Sequence, residues 1–353
     1  MKLFTPLRIR ELEFKNRIAV SPMCQYSAKD GHPTTWHLVH LGSRAVGGAA
    51  LVMTEATGVQ EIGRISPEDT GIYLDAHVDS WRPIVKFIQE QGALAGMQLA
   101  HAGRKASTEA PWHSGGKPIA LNDGGWTPVA PSAVPFDAGY NVPKELSIVE
   151  IDQVVRDFEL AAGRALQAGF QLVEIHAAHG YLLHEFYSPL SNQRKDEYGG
   201  SFENRIRLLL RVAKAVRDFW PTKNPVFVRI SATDWKEGGW DIEQSVKLCR
   251  RLKALGIDLI DVSSAGVVPG VQIPVGPGYQ TGFAATIRRE AGIATGAVGM
   301  VTDPVQAATI VGTEQADLVL LARELLRDPY WPRRAAQALG QKIKAPVQYE
   351  RAW

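Results

Sequence analysis

Eight short apolar runs, each followed by a longer segment with room for a helix, constrain this chain more than any other feature. The runs cover residues 18–23, 50–55, 95–100, 172–176, 226–231, 259–263, 294–299 and 318–322. Helical patterns lie between them, among them 151–168, 204–219, 242–254 and 304–311. In the first of these Val154, Val155, Phe158, Ala161, Ala162 and Leu166 make one apolar stripe, and Gly169 is placed as a C-cap. Asp241 and Asp303 stand where N-caps belong, with Pro304 in the first turn. Strand and crossover helix repeated eight times predict an α/β fold closed as a (β/α)8 TIM barrel, for which ~250 residues plus insertions is usual. No flexible linker divides the 353 residues, so one domain over 1–353 is expected. The Gly- and Pro-rich segment 108–144, after the third strand, is too long for a simple connection and reads as a lid-like insertion.

Barrels of this kind build their sites at the carboxyl ends of the strands. The fourth strand is the most telling. Its run Leu172-Val173-Glu174-Ile175 leads directly into His176, Ala177, Ala178, His179, Gly180 and Tyr181. Two imidazoles and a phenol at one strand end suit an electrophile whose carbonyl is polarised while another atom is protonated. Two other readings stand beside this one. The histidines are a metal pair, although their spacing pairs side chains on a helix rather than at a strand end, and no HExxH or Cys cluster is near. Or they are satisfied core histidines.

Other strand ends add to the pattern. The first carries Ser21, Pro22, Met23, Cys24, Gln25 and Tyr26. The third carries Gln98 and then His101 to Lys105, and the fifth carries Arg229. The seventh and eighth end in small residues, Gly296 to Met300 and Ala322, followed by Arg323, a pattern that lets backbone N–H groups approach an anion. No GxGxxG follows a strand; the nearest echo, 276–282, has its last glycine one place late and a proline in the turn. No Walker loop or GxSxG elbow appears. Net charge of +2 gives no electrostatic case for nucleic acid. No run of ~20 apolar residues offers a membrane span. With two cysteines, Cys24 and Cys249, and no signal-like N-terminus, a cytoplasmic protein without disulfides is expected.

The ordered blocks resemble the Old Yellow Enzyme family, in particular its thermophilic-like bacterial branch of NADPH dehydrogenases and xenobiotic reductases. They are Asn16-Arg17, 21–24, 98–105, 176–181, 198–205 and 323–329, and the likeness runs nearly end to end. The resemblance implies an FMN at the barrel mouth, reduced by NADPH and passing the hydride from its N5 to the β-carbon of an alkene conjugated to a carbonyl or nitro group. His176 and His179 then hold the acceptor oxygen, and Tyr181 gives a proton to the α-carbon from the face opposite the flavin. A phenol is protonated at neutral pH without special tuning. Ser21, Pro22, Met23, Cys24, Gly58, Gln98, Arg229, Gly299, Ala322 and Arg323 match flavin contacts. Gln98 faces the pyrimidine edge, Arg229 lies near N1 and O2, and Cys24 tunes the potential. Tyr26 and Lys105 match the substrate side. Arg351, and with it Trp353, matches a tail that reaches a neighbouring protomer in a homo-oligomer, a dimer or a tetramer.

Two departures are expected to matter. Ala322 replaces a common Gly, and Gly58 stands where Ala or another small residue is usual, leaving space beside the flavin. The long insertion around Trp112–Trp126 bears on acceptor size. The rivals are a flavin barrel with a different acceptor, a redox sensor, and a metal-dependent barrel hydrolase.

Overall fold

The computed structural model describes residues 1–353. The chain opens with a hairpin of two strands, β1 (Leu7–Ile9) and β2 (Leu12–Phe14), then enters β3 (Ile18–Val20) and α1 (Thr35–Val46). Next come β4 (Leu51–Gly58), α2 (Ala76–Glu90) and β5 (Leu94–Ala100). The insertion follows, with only the two-residue strands β6 (Val129–Ala130) and β7 (Lys144–Glu145), before α3 (Ile148–Ala168). The second half runs through β8 (Leu172–Ala177), α4 (Leu182–Tyr187), α5 (Phe202–Phe219), β9 (Val226–Ser231) and α6 (Ile242–Ala254). It then continues with β10 (Leu259–Ser263), α7 (Thr281–Ala291), β11 (Ala294–Ala297) and α8 (Pro304–Gly312). Last are β12 (Leu318–Leu321), α9 (Arg323–Arg327) and α10 (Trp331–Ala338).

Eight parallel strands close into a barrel in the order β10, β11, β12, β3, β4, β5, β8, β9. All eight apolar runs of the sequence are barrel strands. The first and seventh end earlier than their apolar runs, because Pro22 has no N–H for the ladder and Gly299 turns at φ +121°. The hairpin and the helices α1, α2, α7 and α10 go beyond the sequence reading.

The helix ends follow their local chemistry. Asp241 and Asp303 accept from the backbone of Gln244 and Gln306, as their positions predict. Helix α3 begins three residues earlier than its stripe suggests, because Ser147 and Glu150 form a capping box. It ends at Gly169 with φ +96°.

The barrel interior is layered. At the amino-terminal end Leu51, Met53, Leu94, Leu172, Phe227, Leu259, Leu318 and Leu320 pack together. Phe14 of the hairpin stacks on Phe227 with ring centroids 6.3 Å apart, sealing that end. Two residues further along β8, β9 and β10 the inward positions turn polar. Glu174 follows Leu172, Arg229 follows Phe227, and Asp261 follows Leu259, all 5 % exposed or less. Strand alternation carries the same faces on to His176, Ser231 and Ser263 at the carboxyl rim.

Candidate active site

His176 lies on β8 and is buried, while His179 and Tyr181 occupy the turn between β8 and α4. The three rings meet edge to face. Centroids are 5.1 Å apart for His176 and His179, 5.1 Å for His176 and Tyr181, and 6.5 Å for His179 and Tyr181. His179 has a left-handed backbone, φ +60°. Three contacts hold it there: its N–H donates to Ser231 Oγ (2.9 Å), its carbonyl accepts from Lys105 Nζ (2.9 Å), and its Nε2 meets Ser263 Oγ (2.7 Å). The neighbouring Gly180 is obligatory, since a Cβ there would stand 2.0 Å from the Gly266 carbonyl oxygen. The Lys105 ammonium also lies 5.1 Å from the Tyr181 ring centre.

Burial fixes the protonation of this group. Desolvation, reinforced by the Arg229 charge, holds both imidazoles well below the usual histidine range, so each is neutral at pH 7 with one N–H to give. Desolvation, with smaller contributions from Cys24 and Tyr26, pushes the Tyr181 phenol well above its usual value. The phenol is thus protonated, as the sequence leads one to expect, but it is tuned away from acidity rather than left unaltered. Lys105 falls to about 8 through desolvation, against the raising influence of Glu185.

The other strand ends converge on the same mouth. Cys24 and Tyr26 leave β3 and pack with Tyr181 and Trp126 against Ala56, Ala100 and Ala106. Burial, with Asp69 and Glu55 nearby, raises the Cys24 thiol and keeps it neutral. Glu55 accepts from the Gln25 backbone N–H (2.9 Å) while His37 of α1 holds its other oxygen (2.9 Å), which fixes the loop carrying Cys24. The insertion lies over this rim: Trp112 meets Tyr26 edge to face at 5.6 Å, and Phe136 lies 4.6 Å from Lys105 Nζ. Gly58 does not leave the space expected of it. A Cβ there would come within 3.1 Å of Arg64 Cγ and 3.2 Å of the Gln60 carbonyl oxygen, because the 60–64 turn already fills the place.

A cavity of about 270 Å³ opens where β11 and β12 end. Arg229, Ser263, Gly299, Ala322 and Arg323 line it. Gly299 cannot be replaced without strain, since a Cβ would fall 2.9 Å from both Gln280 and Tyr279. Arg323 is exposed and forms no ion pair, whereas Arg229 is buried beside Asp261 at 3.2 Å without hydrogen-bond alignment. Between this cavity and the histidines lies a concentration of buried polar atoms without partners: Ser21 Oγ, Glu174 Oε2, His176 Nδ1, Arg229 Nε and both Asp261 oxygens. Orphaned buried polar atoms are rare in a finished core and mark where another group completes the hydrogen bonding. A cationic, small-residue pocket at one end and an amide with a guanidinium at the other fit a phosphorylated, hydrogen-bonding planar cofactor such as FMN.

The structure brings Ser21, Pro22, Met23, Cys24, Tyr26, Gln98, Lys105, His176, His179, Tyr181 and Arg229 to the barrel mouth, with Gly299, Ala322 and Arg323 beside them. Arg351 is not among them. The tail (Val347–Ala352) folds back, Trp353 stacking on Tyr330 at 6.4 Å and lying under Arg333, while Arg351 stays exposed. Sequence reasoning passed over Ser231, Ser263, Glu174 and Asp261. Inward-facing register with Gln98, His176 and Arg229 is the signal that finds them. No helix is long and apolar enough to cross a membrane.

Fold and site together define a flavin oxidoreductase built on a TIM barrel. The model of the NADH:flavin oxidoreductase / NADH oxidase family matches residues 2–342. The chain belongs to that family, the Old Yellow Enzyme family to which its sequence blocks point, and is an FMN-dependent oxidoreductase. An NADPH dehydrogenase of a Geobacillus species is 50 % identical over 353 residues, covering 99 % of this chain and 98 % of the relative. Among solved structures, morphinone reductase in complex with tetrahydroNAD superposes with a TM-score of 0.79 at 28 % identity, covering 98 % of this chain and 92 % of that one. An Old Yellow Enzyme homologue from Zymomonas mobilis gives 0.78 at 28 % identity, covering 99 % and 96 %.

Proposed function

We propose that the protein is an NADPH-dependent ene-reductase that acts as one FMN-binding domain and saturates the C=C bond of α,β-unsaturated aldehydes, ketones and nitro compounds. The observation that carries this reading is the triad of His176, His179 and Tyr181, two neutral imidazoles and one protonated phenol in mutual contact. When bound, FMN would supply two-electron hydride chemistry between NADPH and the β-carbon of the acceptor. His176 and His179 hydrogen-bond the acceptor oxygen and stabilise the negative charge that develops on it. With Ser263 Oγ–H donating to His179 Nε2, Nδ1 carries the N–H and is the ring nitrogen left to donate to the acceptor. Tyr181 delivers a proton to the α-carbon and regains one from solvent.

Arg323, with the backbone of Gly299 and Ala322, holds the FMN phosphate. Gln98 and Arg229 bind the pyrimidine edge, supported by Ser21, Pro22, Met23 and Gly58, with Cys24 tuning the potential. Tyr26 and Lys105 border the acceptor, and the insertion 108–144 closes over it as a lid. Arg351 and Trp353 act on the site of a neighbouring protomer in a homo-oligomer. The free thiols Cys24 and Cys249 suit a reducing cytoplasm. The test is an anaerobic visible spectrum: a flavin absorbance that NADPH bleaches and cyclohexenone restores supports the reading, and a protein that stays colourless after FMN is supplied overturns it. Removal of residues 351–353 is expected to weaken acceptor binding or assembly; unchanged values for both refute the trans role.

A further inference from the structure

Barrel register gives each of the two pyrimidine-edge residues a buried carboxyl partner. Gln98 of β5 is directly opposite Glu174 of β8, and its Nε2 donates to Glu174 Oε1 at 2.8 Å. Arg229 of β9 is opposite Asp261 of β10, with Nε 3.2 Å from Oδ2. Both carboxyl groups are 0 % exposed, and three of their four oxygens have no hydrogen-bond partner. We propose that Glu174 and Asp261 are positioning residues that orient Gln98 and offset the charge of Arg229, and thereby set how strongly the site favours reduced over oxidised FMN. The inference rests on the flavin reading above and deepens it.

The charge balance gives the direction. Reduced FMN carries an extra negative charge, which Arg229 attracts and a neighbouring carboxylate repels. Burial raises the Asp261 carboxyl and the Arg229 charge beside it counters this; as a carboxylate Asp261 weakens the preference for the reduced form, and an ionised Glu174 weakens it further. Burial, with Asp261 close by, raises the Glu174 carboxyl to about 8, and Arg229 only partly counters this. The groups that face the pair are Arg229 of β9, the neutral amide of Gln98, and His176 two residues above Glu174. Strands β3, β11 and β12 bring no ionisable side chain, and Glu55 of β4 is engaged by His37. The proton on Glu174 is thus held or lost according to charges inside the barrel, and its loss near pH 8 places a new negative charge beside the flavin edge.

The experiment compares the holoprotein with Asp261→Asn and Glu174→Gln, measuring FMN reduction potential by dye equilibration between pH 6.5 and 9.5. Asp261→Asn is expected to favour reduced over oxidised FMN by about tenfold at pH 9.5, an upward shift of about 30 mV for a two-electron couple, and by less at lower pH, where loss of Asp261 lets Glu174 ionise earlier. Glu174→Gln keeps a partner for Gln98. Its potential should match the wild type at pH 6.5 and lie above it beyond pH 8. Thermal unfolding of the apoproteins gives a flavin-free readout: wild-type stability should fall relative to Glu174→Gln as pH rises from about 4.5 to 8, where the folded carboxyl holds a proton that the unfolded one has lost. If Asp261→Asn fails to fold, the pH divergence of Glu174→Gln decides alone. Potentials of folded variants that coincide with the wild type at every pH overturn the inference and leave the flavin reading standing. A wild type that takes up no FMN overturns the flavin reading itself.

Discussion

The two ends of the barrel interior are made of the same eight strands and differ in what they leave unfinished. At the amino-terminal end leucines and Met53 interdigitate beneath the Phe14–Phe227 stack, and no side-chain polar atom is stranded among them. At the carboxyl end, a few rungs away, Ser21, Glu174, His176, Arg229 and Asp261 all bury polar atoms without partners. Burial of that kind costs about 1–3 kcal/mol for each unmet group. One end is therefore built for stability, and the other spends stability on preorganised polar groups. The difference locates the site without reference to any relative.

Substitutions at the two ends should break different properties. With Tyr181 as the proposed proton donor, Tyr181→Phe should lower enone turnover by about 10²–10⁴-fold with FMN reduction by NADPH and the melting temperature preserved. Wild-type turnover by this variant would remove Tyr181 from the mechanism. Phe14→Ala, at the opposite end, should cost about 3–5 kcal/mol in denaturant unfolding while the folded fraction keeps its FMN affinity. A stable variant that loses flavin would show the ends to be coupled. Arg323→Ala should weaken FMN binding by about ten- to a hundredfold, read by fluorescence titration, through loss of about 1.5–3 kcal/mol of charge-assisted hydrogen bonding. Unchanged affinity would move the phosphate elsewhere.

A pH-dependent effect concerns Glu185, whose carboxyl accepts from the Arg104 backbone and is raised by burial to about 8. Between the usual glutamate value and pH 8 the folded state binds the extra proton, so stability is lost as pH rises through that window. Glu185→Gln keeps the acceptor and removes the titration. Its melting temperature should gain on the wild type from pH 5 to pH 8, and a constant gap would assign the proton to another group.

The barrel was legible because its strands are short, apolar and separated by helices whose caps are written in Asp241, Asp303 and Gly169. The hairpin was not, since three-residue strands carry no periodicity. Helices α1 and α2 hide their stripes among histidines and tryptophans: His37 is buried because it pairs with Glu55, and Trp81 because it meets Phe170 edge to face. In the site, residues grouped at a strand end were visible, whereas Glu174 sat unnoticed inside the apolar run Leu172 to Ile175. Its meaning lies in register with Gln98, which depends on β5 and β8 being neighbours across 76 positions of sequence. Ser263 was hidden for the same reason.

The left-handed turn at His179 also restricts which sequences this site can sample. A β-branched residue is barred there on steric grounds before its chemistry is tested, whereas Asn and Asp tolerate that backbone. Of these only Asn also keeps a neutral N–H donor. Variation at this position is thus channelled by backbone geometry towards an imidazole or a carboxamide, and a library that explores it will find its functional members there.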